Sequence, residues 1–362
     1  MSSPEALSPA TLTTAGTEPS ATGPAASPTG ASRTGSGFGR YLLVKLVGAL
    51  ISFAVTLVIG FVLFNLMPAD PVATLTRGRP TSAAQLAELR RQLGVDLPLW
   101  RQFLHFVSNI CQFKLGYSYT FQRSVASLIG ERLGPTLLLM GTSTLISVAL
   151  GLWLGMRSGW RRGSLFDRLS SGTSLTLWSV PTFWLGLILL VLFSVGIGPI
   201  TGFLPAGGMS TPGYGGGAVG QLLDTTKHLV LPCLTLVLVV FAQYVTIMRS
   251  SIIDELGSPY LLTARAKGLR DDDVRRKHAL PNALLPSVTV IFLQLGGIVG
   301  GAITVETVYS WPGLGYLTFQ ALQIPDIELL EGTFIIFSAA VIVMNLLADI
   351  LYRFLDPRVR AQ

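Results

Sequence analysis

Catalysis needs reactive side chains brought together, and this chain supplies few. Its three histidines, His105, His228 and His278, lie far apart with no metal-ligand spacing. Its two cysteines, Cys111 and Cys233, make neither a disulfide framework nor a four-ligand zinc site. No carboxylates pair within the apolar stretches, and no glycine-rich loop carries a phosphate-binding lysine. The reading is a non-catalytic chain that does not hydrolyse ATP and holds no metal or cofactor of its own. The one stretch dense in polar chemistry is residues 249–285, where a short first helix would run through Ala264, Arg265, Ala266 and Lys267 to Gly268. Gly268 can take the left-handed conformation that stops a helix. Leu269 and Arg270 follow, and Asp271, Asp272 and Asp273 suit the start of a second helix, where negative charge meets the helix dipole. Val274, Arg275, Arg276 and Lys277 come next. Such a capped, charged helical pair either docks into a partner or only joins two longer elements.

Those longer elements are apolar. Of 362 residues, 50% are hydrophobic and 12% charged, where a soluble domain carries roughly 25% charged residues. Mean hydropathy is +0.57. A single soluble core cannot absorb that much apolar surface, so the expected class is an all-α integral membrane protein. The net charge of +7 is read as Arg and Lys at the cytoplasmic membrane face rather than as a nucleic-acid footprint. Residues 1–37 are Ser-, Thr-, Pro-, Ala- and Gly-rich, expected as a disordered cytoplasmic tail without the basic and apolar parts of a signal peptide.

Six transmembrane helices are expected, each near the roughly 20 residues a span needs. The first lies in residues 38–67, and the others near 136–156, 169–197, 229–248, 283–305 and 332–354. Residues 68–135 form a small extracytoplasmic segment of short helices, with a capping box at Ser82 and Gln85, a helix stop at Gly94 and a first-turn Pro98. Residues 136–358 make the transmembrane core. The Arg-rich loops 157–168 and 249–281 and the tail belong inside, and the acidic loop 306–331 outside, so both termini are cytoplasmic. The 68–135 stretch is more basic than an outer loop should be, but it exceeds the length for which the charge rule holds.

The span interiors hold almost no ionisable residue, which argues against a proton-coupled or charge-lined pump. Gln243, Gln294 and Asn345 are their notable polar side chains, suited to helix–helix hydrogen bonds or to lining a path. Glycines 296 and 300, and 297 and 301, allow close helix packing or a hinge. Asp349 and Arg353 are spaced as a local ion pair. At the exit of the fifth span, Glu306, Tyr309, Trp311, Pro312 and Gly313 could line an outer gate or meet a substrate amino group, or could make a turn that only packs.

Several blocks, in order, resemble one family. Thr263-Ala-Arg-Ala-Lys-Gly268 with His278-Ala-Leu-Pro-Asn-Ala283 resembles the cytoplasmic loop of binding-protein-dependent ABC importer permeases of the peptide/nickel type. Leu93-Gly-Val-Asp-Leu-Pro-Leu-Trp100, Gly130-Glu-Arg-Leu-Gly-Pro-Thr136, Val305-Glu-Thr-Val-Tyr-Ser-Trp-Pro-Gly-Leu-Gly315 and Leu355-Asp-Pro-Arg358 are similar to the B-type subunit. The family's acid-Ala-Ala signature is replaced by Leu262, Thr263 and Ala264, which removes any role for a glutamate there. The resemblance implies a type I permease fold in a bacterial cell membrane. It implies a homologous C-type permease partner, two ABC ATPase subunits (or one fused chain) that bind the ATP and Mg, and an extracytoplasmic solute-binding lipoprotein. Membrane lipid surrounds the chain, and no nucleic-acid partner is implied. It implies import of di- or oligopeptides, with nickel chelates or glutathione-like peptides as alternatives and a stand-alone secondary transporter as the reading from another class. The loop 249–285 would be the coupling loop, with Asp and Arg side chains setting register and Leu269 and Val274 giving apolar anchorage.

Overall fold

The computed structural model describes residues 36–65, 82, 84, 85, 87, 88, 97–197, 200–297 and 302–355. The chain divides into Met1–Tyr41, of which only the first turns of a helix are described, and Leu42–Gln362. The described elements are helices α1 (Ser36–Asn65) and α2 (Leu99–Cys111), a two-stranded hairpin β1 (Tyr117–Ser118) and β2 (Arg123–Ser124), then α3 (Val125–Trp160), α4 (Leu165–Trp178) and α5 (Thr182–Leu190). A π-helical turn Val191–Val195, a second hairpin β3 (Gly196–Ile197) and β4 (Ile200–Thr201), α6 (Ala218–Leu256) and α7 (Pro259–Ala266) follow. The chain ends in α8 (Asp271–Asp273), a π-helical turn Val274–Ala279, α9 (Leu280–Gly297), α10 (Ile303–Val308), α11 (Leu314–Gln323) and α12 (Ile327–Leu355).

Four helices are long and apolar enough to cross a membrane: Gly39–Asn65, Val125–Trp160, Ala218–Leu256 and Ile327–Leu351. At 1.5 Å per residue, α3 and α6 are each roughly 55 Å long, well beyond a hydrocarbon core of about 30 Å. The expected third span is instead a pair, α4 and α5, bent by 99°. The break falls at Pro181, which lacks an N–H and drives the residue before it out of the helical region. In the expected fifth, α9 is described as far as Gly297 and α10 from Ile303, and the residues between 297 and 302, Gly300 and Gly301 among them, lie outside the described residues. The described helices therefore give four spans, or five with the bent pair, where six were expected.

Element ends also moved. Helix α3 starts at Val125 and runs through Pro135, which sequence reading placed at a boundary. Ser124 caps the first turn of α3, its Oγ accepting from the Ser127 N–H. The capping box at Ser82 formed as expected, with Gln85 Oε1 accepting from the Ser82 N–H (3.0 Å) and Ser82 Oγ from the Gln85 N–H (3.3 Å). Pro98 stands just before α2, and Gly94 lies outside the described residues.

The centre of the fold is the contact of α3 with α6. Ser143, Ser147, Gly151, Gly155 and Gly159 recur every fourth residue on α3 and are all buried. A Cβ at Gly151 would stand 2.5 Å from the Tyr244 Cβ, one at Gly155 2.6 Å from the Val245 carbonyl oxygen, and one at Gly159 2.8 Å from the Arg249 carbonyl oxygen. This small-residue stripe lets the two backbones touch, which is how helices gain dispersion energy in lipid, where apolar burial drives nothing. Leu139, Leu185, Leu231, Leu236 and Trp311 fill the core on one side of it. Helix α1, by contrast, leaves Leu43, Val44, Leu50, Ile51 and Ile59 exposed, an apolar surface suited to lipid.

Candidate functional site

The loop after α6 is a folded unit. Ser258 precedes Pro259 at the first position of α7, a proline site where no N–H is missed. The helix closes on Gly268, at φ +79°. There the Gly268 N–H donates to the Arg265 carbonyl (2.9 Å) and the Leu269 N–H to the Ala264 carbonyl (3.4 Å), the two bonds of a Schellman stop. The chain turns and enters α8 at Asp271, as expected from the acidic run. The second helix does not end after the charged run, where the sequence would allow a break before the next apolar stretch. From Asp271 to Gly297 the backbone is helical throughout, with a π-helical turn at Val274–Ala279. The tip of the loop and α9 are one rod.

Beneath the turn is a small core of Leu261, Ala264, Val274 and Ala279, with Trp160 and Leu256 packed against it. Val274 is wholly buried there, so its expected role as an anchor for a partner is corrected: it holds the hairpin shut. Leu269 is 38% exposed and Leu262 62% exposed, so these are the apolar side chains that the hairpin offers outward. Around them run Arg265–Asp271 (3.2 Å), Arg275–Asp272 (3.0 Å) and Lys277–Asp273 (2.9 Å). The Lys277 ammonium holds the Asp273 carboxyl below its ordinary range. Ala266, Lys267 and Arg270 are exposed.

Tyr260 staples the hairpin to the helices on both sides. Its hydroxyl donates to Glu255 of α6, accepts from Asn282 Nδ2 of α9 (2.9 Å), and lies 3.3 Å from the His278 carbonyl. Burial, and then the Glu255 carboxylate, hold this phenol above its usual range. At the root of the loop, Arg249 grips Asp167 with two parallel bonds, Nε to Oδ1 (2.6 Å) and Nη2 to Oδ2 (2.9 Å). The same carboxylate accepts from Ser158 Oγ and from the Gly163 N–H (2.9 Å). Asp167 is 3% exposed, and its donors come from α3, the α3–α4 turn and α6. A buried carboxylate survives only with such saturation. Tyr260, Asn282, Asp167 and Arg249 were not singled out from sequence, because their partners are up to 82 residues away.

The segment from Glu306 to Gly315 is a closed knot. Glu306 is fully buried. Its Oε1 accepts from Thr136 Oγ1 (2.8 Å) and its Oε2 from the Tyr316 N–H (3.0 Å), while Thr136 Oγ1 also accepts from the Leu314 N–H (2.8 Å). Glu306 and Thr136 thus cap α11 together, with a carboxylate at the positive end of the helix. The chain can wrap this close only without side chains, since a Cβ on Gly313 would stand 2.3 Å from Glu306 Oε2. Pro312 leads into that glycine. The Tyr309 hydroxyl donates to the Gly186 carbonyl (2.9 Å) and lies 2.9 Å from Thr235 Oγ1; Trp311 Nε1 donates to the Pro135 carbonyl (3.0 Å). Both rings are buried. Within this chain the segment ties α3, α5, α6 and α11 together, and its acid is engaged inward. Nearby, Asp326 accepts from Ser118 Oγ (2.6 Å) and from the Leu329 N–H (3.2 Å), fixing α12 to β1.

Gln243 is half-buried on α6. Gln294 lies on α9, and its side chain falls outside the described residues, as does that of Arg353. Asp349 stands 2.8 Å from Lys45 of α1. Among the described residues no three His, Cys, Asp or Glu side chains gather as a metal site.

A multi-pass helical membrane protein with a capped polar hairpin after one of its long apolar helices is the class these elements define. Residues 147–361 match the family described as binding-protein-dependent transport system inner membrane component, and residues 38–140 its N-terminal companion. The chain belongs to the binding-protein-dependent transport system inner membrane component family, and it is a permease subunit of an ABC importer. It is 36% identical over 313 residues to the dipeptide transport system permease protein DppB of Escherichia coli K12, across 83% of this chain and 92% of that one. It is 37% identical over 321 residues to the glutathione transport system permease protein GsiC of Pectobacterium atrosepticum, across 89% and 99%.

Proposed function

We propose that this chain is the B-type half of a pathway that admits di- or oligopeptides, completed by a homologous C-type permease. An extracytoplasmic binding lipoprotein delivers the peptide, and two ATPase subunits, or one fused chain, bind ATP and Mg on the opposite side. Six spans place both termini and the loop 249–285 in the cytoplasm. The observation that carries the reading is the hairpin at Ala264–Arg275. It has its own core, a Schellman turn at Gly268 and a helical rod running directly into α9. A connector needs none of these. A lever needs all three, because displacement at the tip must reach the pathway without being absorbed on the way. Exposed Leu269 and Leu262, ringed by Arg265, Lys267, Arg270, Asp271 and Asp272, would meet the ATPase cleft. The peptide assignment is supported by the relatives' names and by spans nearly free of charge, since a fixed charge would favour one class of peptide. The same path would also serve glutathione-like peptides. In the outer knot, Glu306, Tyr309 and Trp311 act as a rigid hinge post for the gate.

Purification of the tagged subunit from its native membrane tests this. Two ATPase chains, a second permease and a lipoprotein should co-purify, and the ligand bound to the lipoprotein should be a peptide. A lone chain or homo-oligomer under conditions that preserve membrane complexes would sink the importer assembly in favour of a secondary transporter.

A further inference from the structure

Beside the root of the loop is a cavity of about 350 Å³ that the importer mechanism does not use. Four guanidinium groups line it, Arg157 and Arg161 from the end of α3 and Arg275 and Arg276 from the π-helical turn, with Trp153 and Trp160 as walls. The Arg157 guanidinium lies 5.7 Å over the Trp153 ring and 5.6 Å from that of Phe166, and Arg275 lies 5.8 Å over Trp160. These stacks hold the cations in place without neutralising them. Among the described residues no acid lines the cavity, and of its four arginines Arg275 pairs with Asp272 (3.0 Å). Trp153 is 48% exposed, and below it α3 shows Ile146 and Leu145 at 47% and 72% exposed, so the cavity opens where the apolar belt of α3 gives way to charge.

Cations gathered around one space repel one another beyond what the single Arg275–Asp272 pair offsets, and an anion there relieves the repulsion. Guanidinium forks match phosphate oxygens, and indole rings favour the membrane–water boundary. We infer that this pocket binds the phosphate of an anionic phospholipid, its headgroup among Arg157, Arg161, Arg275 and Arg276 and its chains along α3. The shared chemistry is a phosphate monoanion, and lipid is favoured over free phosphate because the apolar surface continues directly from the pocket. Since Arg275 and Arg276 stand on the rod that carries the coupling hairpin, a bound lipid braces that rod against α3. The placement on the inner leaflet rests on the topology proposed above.

The assembled transporter, purified in mild detergent and stripped of lipid, should be titrated with phosphatidylglycerol, phosphatidylcholine or inorganic phosphate and the bound lipid counted by native mass spectrometry. Phosphatidylglycerol should be retained at least tenfold better than phosphatidylcholine. Arg157→Gln/Arg161→Gln should abolish that preference, about fivefold for each arginine, and Arg157→Lys/Arg161→Lys should restore most of it. Displacement of the lipid by millimolar inorganic phosphate would keep the anion site and assign it to free phosphate. Equal retention of the two lipids, or a preference that survives the Gln variant, would overturn the inference. The readout counts lipid, so a failure of the importer reading would be seen separately, as missing ATPase chains.

Discussion

Gly268 offers a graded test of the lever. At φ +79° it sits where an L side chain strains its own backbone, yet a Cβ built there meets no atom within 4 Å. Substitution therefore perturbs conformation alone, with no clash to confuse the reading. An ordinary side chain in this region costs about 1–2 kcal/mol, a β-branched one more, and Asn only a fraction. That penalty falls on the Schellman turn, and each 1.4 kcal/mol shifts the population of the closed turn tenfold. The core under the turn, Leu261 with Val274, would hold the fold together, so assembly should survive. The expected order of transport per ATP hydrolysed is Gly, then Asn, then Ala, then Val. Gly268→Val should lose about tenfold or more of its coupling ratio, while Gly268→Asn stays within about twofold of the parent. The assay is peptide uptake and phosphate release measured together in proteoliposomes containing the whole complex. Equal coupling for Val and Gly in correctly assembled transporters would refute the lever. An Asn variant as poor as Val would show that the strain argument is wrong even if the loop matters.

Three further outcomes follow from the buried nodes. Asp167→Asn leaves a mostly buried Arg249 without its charge partner and should destabilise the subunit by about 3 kcal/mol, with Asp167→Asn/Arg249→Met recovering part of the loss; thermal unfolding of the assembled complex in detergent would read this, and additive losses would argue against a coupled pair. Glu306→Gln should lower stability by about 1–3 kcal/mol and reduce uptake of different peptides by the same factor, because the acid caps α11 rather than reading substrate; a loss confined to one peptide class would instead make it a substrate contact. Gly151→Leu should prevent α3 from seating on α6 and abolish assembly, visible as loss of co-purifying subunits, whereas Gly141→Leu, with open space around it, should not.

Much of this architecture was legible in the sequence. Composition fixed the membrane class, since a chain this apolar has few ways to bury itself in water. The capping box at Ser82, the stop at Gly268 and the acidic start at Asp271 are local signals, satisfied within a few residues, and each stands where the sequence put it. Boundaries were less legible. Hydropathy marks where a helix is apolar, not where it ends, so α3 and α6 overran their expected limits at Val125 and Leu256. The continuity of this second helix with α9 was hidden for the same reason: the charged run from Asp271 reads as a short helix of its own, separate from the apolar span expected near 283–305, although a helix carries charge without breaking.

What only the tertiary structure decided are the long-range pairings. The spacing of Gly151, Gly155 and Gly159 was visible, but only contact with α6 makes it a packing face. Glu306 could have faced outward or inward, and it faces inward where Thr136, 170 residues earlier, donates to it. Asp167 found Arg249 across 82 residues, and Val274 turned from a presumed anchor into core because α7 folded back upon it. Local chemistry needs only neighbours and can be read along the chain. The partner of a buried polar group is settled by whichever donor the packed helices bring within about 3 Å, and no linear spacing encodes that distance.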